Sequence, residues 1–394
     1  MCNWRNLLVV TLTLMGGVYG AFAGPMIQDL DWSCVSPTYA IAGDFNGDGW
    51  DDIAIACHSC DSIFVGLNPT GTPCPVAWGD PKVFGLGDSP TALAWGLFGR
   101  GVGPYTKKIV AVTQYRPGWS AFTVTSSASL SALNAVTAIH VIVGDFNGDG
   151  SLDVAVLDPL GLKVTFPTGG IADIDLSDQN PGAPAFMAAG DFDRDADLDL
   201  VISSSTSLLF YENDGCGGFT RRLNIRVGLS LRGIAVGDFD GDADEDLAVV
   251  DPKFGALAII RNDGCWNFTI SAKIKMDKGP VFVLAFDCDR DGDLDLAVAE
   301  YDGNSVSMAL NSGMGSFSIR HRFAVGKNPV GLDVGDFDRN GIPDLVIALH
   351  GGGPEGKGPA AQVIYNPCCA TDDCTKQAPC CGEGTSAPAP CGGS

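Results

Sequence analysis

The chain has 394 residues, with 47 Asp and Glu against 24 Lys and Arg, and a formal net charge of −23. Such an excess of negative charge excludes nucleic acid and anionic membrane surfaces as partners. Beyond the N-terminus no stretch is long and apolar enough to span a bilayer, so no membrane span is expected.

In chain order, Arg5 precedes an apolar run from Leu7 to Val18, and Ala21-Phe22-Ala23 forms an A-x-A cleavage pattern before Gly24. Residues 1–23 therefore read as an export signal; the run is too short for a transmembrane anchor and ends in small residues. The 14 Cys agree with an oxidising, extracellular destination. From Met26 to Trp32 the residues alternate like an edge strand.

The next stretch sets the pattern for the rest. Asp44, Asn46, Asp48 and Asp52 stand at positions 1, 3, 5 and 9 of a turn between two apolar, β-branched runs. Asp145, Asn147, Asp149 and Asp153 repeat it, as do Asp191, Asp193, Asp195 and Asp199. Three more copies follow at Asp238, Asp240, Asp242 and Asp246, at Asp287, Asp289, Asp291 and Asp295, and at Asp336, Asp338, Asn340 and Asp344. A hard divalent cation takes six to eight oxygen ligands, and alternating Asp and Asn in a tight turn supply them. One such loop is as easily a solvated surface turn; six in register read as up to six structural Ca2+ sites. No Glu stands at position 12 and the flanks are strand-like, so a helix-loop-helix calcium hand is excluded. A seventh, broken copy at Trp95–Gly101 has Leu97 at position 1 and no carboxylates, and should bind no ion. The markers recur at roughly 46–53 residues, in the range of propeller and array repeats.

Each unit reads as strand, Asp-rich loop, strand, loop, strand, turn, strand. The last turn carries hairpin chemistry, Asn213-Asp214-Gly215, Asn262-Asp263-Gly264 and Asn311-Ser312-Gly313, before Phe219, Phe268 and Phe317 open the fourth strand. The final unit has only three strands, ending near Asn366, and the first is preceded by an orphan. Residues 26–33 should therefore pair as the outermost strand of the last blade and close a ring. Cys57-His58-Ser59-Cys60 suggests a local disulfide or one shared with Cys34, and Cys288, in the place held by Phe in the other loops, a buried free thiol. Residues 367–394 hold six Cys among Gly and Pro; disulfides fit better than zinc, and the composition marks a tail without a core.

On these loops the chain resembles the FG-GAP/VCBS repeat proteins that form the integrin-alpha-like N-terminal β-propeller. The resemblance covers roughly residues 26–366. It implies an all-β fold: a seven-bladed β-propeller of four-stranded antiparallel blades, closed by an N-terminal strand, over residues 24–366. It also implies calcium held at the hairpin between the first two strands of a blade, with the position-7 carbonyl (Trp50, Ser151, Asp197, Asp244, Asp293, Ile342) as a backbone ligand. Ala196 and Ala243 stand where Gly is usual.

In such a propeller the face opposite the calcium hairpins carries His58, Tyr115, Arg116, Trp119, Phe254, Tyr301 and His350. Aromatic rings beside Arg and His suit a sugar or a protein loop, although Tyr115 and Trp119 equally suit the cover of a degenerate blade. No Gly-x-Ser-x-Gly elbow, His-Glu-x-x-His or phosphate loop is present, and there are only four His. The expectation is a secreted or cell-surface, calcium-binding adhesion or recognition module for an extracellular protein or glycan, leaning away from an enzyme. Tyr115, Arg116, Trp119, Tyr301 and His350 are the candidate ligand contacts. The alternative is a polysaccharide lyase or other carbohydrate-active enzyme on the same scaffold.

Overall fold

The computed structural model describes residues 25–69, 76–86, 89–98, 106–113, 119–123, 126–131, 138–167, 169–176, 182–352 and 358–368; of residues 97–98, 106–113, 119–123 and 126–131 it describes the backbone alone. The expected export signal and all of the expected tail past Cys368 lie outside the described residues.

Strand β1 (Met26–Leu30) comes first. Sheets then follow one another along the chain: β2 (Pro37–Gly43), β3 (Asp52–Cys57), β4 (Ser62–Gly66) and β5 (Lys82–Gly85); β6 (Pro90–Phe98), β7 (Thr106–Thr113), β8 (Trp119–Thr123) and β9 (Ser126–Ser131). Next come β10 (His140–Gly144), β11 (Asp153–Leu157), β12 (Gly161–Thr165) and β13 (Ile171–Asp175), then β14 (Pro184–Gly190), β15 (Asp199–Ser204), β16 (Ser207–Asn213) and β17 (Phe219–Arg226). β18 (Ile234–Gly237), β19 (Asp246–Asp251), β20 (Ala256–Asn262) and β21 (Phe268–Lys275) precede β22 (Pro280–Phe286), β23 (Asp295–Glu300), β24 (Ser305–Asn311) and β25 (Phe317–Ala324). The last three strands are β26 (Pro329–Gly335), β27 (Asp344–Leu349) and β28 (Ala361–Tyr365). Their sheet is completed by β1, which pairs antiparallel with β28, Met26 opposite Tyr365 and Leu30 opposite Ala361, as the orphan-strand argument requires.

The backbone pairing thus gives seven four-stranded antiparallel sheets, six with side chains described on all four strands and the β6–β9 sheet largely by its backbone. First strands lie side by side in the order β2, β6, β10, β14, β18, β22, β26 and back to β2, which makes the sheets blades of a closed propeller. The second strand of each fully described blade is buried throughout, which is why β3, β11 and β27 are unbroken apolar runs after their leading Asp and β15, β19 and β23 are apolar up to Ser203, Asp251 and Glu300. Fourth strands alternate or are mostly exposed, as rim strands must.

Blades meet through close contacts that small residues allow. A Cβ on Gly144 would sit 2.9 Å from Leu198 of the next blade, and one on Gly237 2.4 Å from Leu294, so the glycine before each of these loops admits the next blade's side chain. The position-2 Phe is buried under its loop and meets the Phe that opens the following blade's fourth strand edge-on: Phe146 with Phe219 at 6.0 Å and Phe239 with Phe317 at 5.5 Å between ring centroids.

Of the cysteine expectations, that for Cys288 needs revision, and the disulfide shared with Cys34 is present. Cys288 is not a free thiol: it forms a disulfide with Cys368, just beyond β28. Replacing Phe by Cys at position 2 places a thiol under the loop where the chain leaves the last strand. Cys57 pairs with Cys34, leaving Cys60 free, and Cys216 and Cys265 are free and exposed in neighbouring hairpins.

Candidate metal loops and channel mouth

The six Asp-rich loops share one hydrogen-bond scheme, and position 9 anchors it. Its carboxylate, at the start of the second strand, accepts from the backbone N–H of position 2: Phe45 to Asp52 at 3.1 Å, Phe146 to Asp153 at 2.9 Å, Phe192 to Asp199 at 3.0 Å, Phe239 to Asp246 at 3.1 Å, Cys288 to Asp295 at 3.1 Å and Phe337 to Asp344 at 3.0 Å. The position-6 N–H donates to the position-1 carboxylate in every copy, from 2.7 Å at Gly150 to 3.2 Å at Gly292. The position-7 N–H likewise donates to the oxygen of position 5. These Asx turns curl the chain around the side-chain oxygens. Curling requires left-handed residues at both positions 4 and 6. Position 4 is Gly or Arg, with φ 65° at Arg194, and position 6 is Gly or Ala, with φ 73° at Ala196 and 69° at Ala243.

A residue outside the motif completes each site. The Asn ending the third strand donates its backbone N–H to the second oxygen of the position-9 Asp: Asn68, Asn213, Asn262 and Asn311 at 2.8 Å and Asn366 at 2.9 Å. Four of these Asn also donate Nδ2 to the position-2 carbonyl of the preceding blade's loop, Asn68 to Phe337, Asn213 to Phe146, Asn262 to Phe192 and Asn311 to Phe239. The sequence marked several of these Asn only as turn residues; the better signal is an Asn 14 to 22 residues after each position-9 Asp. Only the unit around Asp153 lacks it. By register the equivalent residue is Pro167, which has no N–H, and Asp153 Oδ1 is left buried without a donor.

Adjacent loops are also tied directly. Asp51 and Glu245, at position 8, accept from the position-1 N–H of the preceding blade, Asp336 at 2.9 Å and Asp191 at 2.7 Å. Arg194 bridges to the Ala243 carbonyl at 3.1 Å, and Arg339 donates to the Gly49 carbonyl while its guanidinium lies 4.2 Å over the Trp50 ring.

The oxygens suit a hard cation. In four loops three carboxylates bring ligand atoms within 4.8 Å of one another: Asp191, Asp193 and Asp199; Asp238, Asp240 and Asp246; Asp287, Asp289 and Asp291; Asp336, Asp338 and Asp344. Asp193 Oδ1 and Asp287 Oδ1 are buried with no hydrogen-bond donor, the condition a cation relieves. Burial, aided by neighbouring Asp charges, pushes the position-9 carboxyls up, to about 8 for Asp344, about 7 for Asp52 and Asp199, and about 6 for Asp153, Asp246 and Asp295. Without a positive partner these groups keep their protons to higher pH than an ordinary carboxyl; a divalent ion would reverse that preference.

At the other ends of the first strands lies a cavity of about 580 Å³, lined by residues from all seven first strands or the segments leading into them. Tyr39, His140, Phe186 and Phe282 form its aromatic floor, with centroids 5.8 Å from Tyr39 to His140, 3.8 Å from His140 to Phe186, 5.5 Å from Phe186 to Phe282 and 5.7 Å back to Tyr39. Burial pushes His140 down to about 3, so its ring is neutral, with Nε2 3.3 Å from the Tyr39 hydroxyl. Of this lining the sequence marked only Tyr301, because the cavity is assembled from residues of all seven units.

Of the candidate ligand contacts, Tyr301 lines the cavity and its hydroxyl lies 3.5 Å from His350 Nδ1, so these two come together. Burial and the charge of nearby His58 hold His350 below the usual histidine range. Tyr115 and Arg116 lie outside the described residues, and Trp119 is described by its backbone alone, at the start of β8.

Among solved structures the chain is similar to a streptogramin B lyase at 13% identity and TM-score 0.60, covering 88% of this chain and 99% of that one. BBS1N in complex with ARL6DN matches at 12% identity and TM-score 0.63, over 87% and 96%. An Agrocybe aegerita lectin that recognises non-reducing terminal N-acetylglucosamine matches at 15% and 0.52, over 83% and 98%. At these identities the likeness is one of fold. No curated protein matches in sequence. The FG-GAP-like repeat family matches residues 191–249, 238–298 and 287–347, three of the Asp-loop units described above. With its ring of four-stranded blades, the chain is a β-propeller that carries three FG-GAP-like repeats.

Proposed function

We propose that this protein is an exported, calcium-stabilised propeller of seven blades that recognises a protein or glycan at the mouth of its central channel. The observation that carries the reading is the cavity of about 580 Å³ beside the Tyr301–His350 pair, on the face away from the Asp-rich loops. Its size suits a small ligand, a sugar residue or a protruding side chain, and its aromatic floor with polar rim suits stacking and orientation. Propellers of similar fold include one solved with a protein partner and one that recognises a sugar. Disulfides Cys34–Cys57 and Cys288–Cys368 favour an oxidising compartment. Calcium, held by the six Asp loops, supplies fixed positive charge that ties the first two strands of a blade; it is assigned no part in chemistry.

The test is a glycan and surface-protein array probed with the calcium-loaded protein. Binding that weakens in Tyr301→Ala and His350→Ala variants supports the reading, and loss of binding in neither variant defeats it. A carbohydrate-lyase reading draws on the same Tyr301–His350 contact, a possible base beside a phenol. Unsaturated products from uronate polysaccharides, lost in His350→Ala, would favour it over recognition.

A further inference from the structure

Three neighbouring rim strands carry charge of the sign opposite to the molecule's. Arg221, Arg222 and Arg226 on β17, Lys273 and Lys275 on β21, and Arg320 and Arg322 on β25 are all exposed, and these strands contain no Asp or Glu. Acids outnumber bases 47 to 24 in the whole chain, so three acid-free basic rim strands are not its average surface. Protection of an outer strand against pairing with another sheet explains why charge sits there. The rim strands β1 and β13 meet that need with Asp29, Asp173 and Asp175. It does not explain why three successive blades share one sign.

These blades are consecutive, since β14, β18 and β22 lie side by side at the channel, so their rims form one flank. Part of its charge is already answered: Arg222 faces Glu212 at 3.6 Å, Arg322 pairs with Asp277 and with Glu300 at 3.3 Å, and Lys273 donates to the Val227 carbonyl at 3.0 Å. Arg221, Arg226, Lys275 and Arg320 have no side-chain partner among the described residues.

We propose that this flank docks a linear anionic polysaccharide. Free cations recur once or twice per blade along it, interleaved with exposed Thr220, Asn224, Thr269 and Ser271 as hydroxyl and amide partners. A polymer with charge at regular intervals matches a surface with cations at blade intervals. The acidic remainder of the molecule repels such a polymer and confines it to the flank. This surface is separate from the channel mouth and does not rest on that reading.

Immobilised heparin and hyaluronate, a sulfated and a carboxylated source of the same charge, serve as probes, with polyglutamate as the non-saccharide polyanion, all in calcium. The expected result is binding to at least one polysaccharide at low salt that is lost at high salt. Reversal of the four free cations (R221E, R226E, K275E and R320E together) should weaken it by about tenfold or more. Reversal of three exposed lysines elsewhere (K82E, K253E and K327E together) should leave it unchanged. The milder pair Arg221→Gln with Lys275→Gln should fall between, which keeps the test valid if the fourfold reversal unfolds. Absence of polysaccharide binding at low salt, equal loss in the flank and control variants, or polyglutamate bound as tightly would each overturn the proposal. Channel-mouth variants Tyr301→Ala and His350→Ala should leave heparin and hyaluronate binding intact.

Discussion

Single residues in the loops carry opposite consequences for stability. Ala196 and Ala243 hold left-handed φ of 73° and 69° where four other loops have Gly. A Cβ in that conformation costs about 1 kcal/mol, partly offset by the smaller chain entropy of Ala in the unfolded state. Ala196→Gly with Ala243→Gly should therefore raise stability by about 0.5–1 kcal/mol per site, read as a higher midpoint in urea. Asn262 acts the other way. Its N–H and Nδ2 satisfy Asp246 and the Phe192 carbonyl in a buried seam between blades, so Asn262→Ala should cost about 1–3 kcal/mol by the same measurement. The alternating Asp spacing was legible in the sequence because it is a local pattern. The Asn was not, since its purpose appears only when strand register brings it beside an Asp on the adjacent strand. Cys288 misled for a related reason: burial was foreseeable from the position-2 pattern, but its partner Cys368 is 80 residues distant.

At the scale of the loop and its two strands, a proton and the proposed cation would compete for the same oxygens. Position-9 carboxyls sit at about 6 to 8 in the folded chain without cations, against an ordinary value near 3.8. A folded-state value raised in this way favours folding at low pH, and the favour is lost as pH climbs through 6 to 8. Chelated protein should accordingly melt at a higher temperature at pH 5 than at pH 8. Calcium requires the deprotonated forms, so its added stabilisation should grow over the same interval, and thermal melts with calcium and with chelator at the two pH values check both signs. Strand type and order followed from sequence because second strands are largely apolar and hairpins carry Asn-Asp-Gly. The channel cavity did not, because its walls are assembled from residues of all seven units, brought together only when the ring closes.

Across the whole molecule, closure rests on β1 pairing with β28 and on the Cys288–Cys368 disulfide. A cross-link spanning 80 residues restricts the unfolded chain substantially, so Cys288→Ala should lower stability by about 2–4 kcal/mol, measured by urea unfolding in calcium. Reducing agent should have little further effect on that variant beyond the Cys34–Cys57 contribution. The ring itself was readable from the arithmetic of one orphan strand and one short unit, whereas its inter-blade ties, Asp51 to Asp336 and Arg339 to Gly49, depend on neighbours brought together by closure.

The pairing of Met26 with Tyr365 has a consequence for how the disc is presented. Whatever precedes the one and follows the other departs from a single place on the circumference. A tether on either side would hold the disc at its edge, leaving the channel mouth and the Asp-loop face both open to approach. It would also leave the basic strands of the fourth and fifth sheets, which do not adjoin the sheet holding Met26 and Tyr365, open to a long polymer.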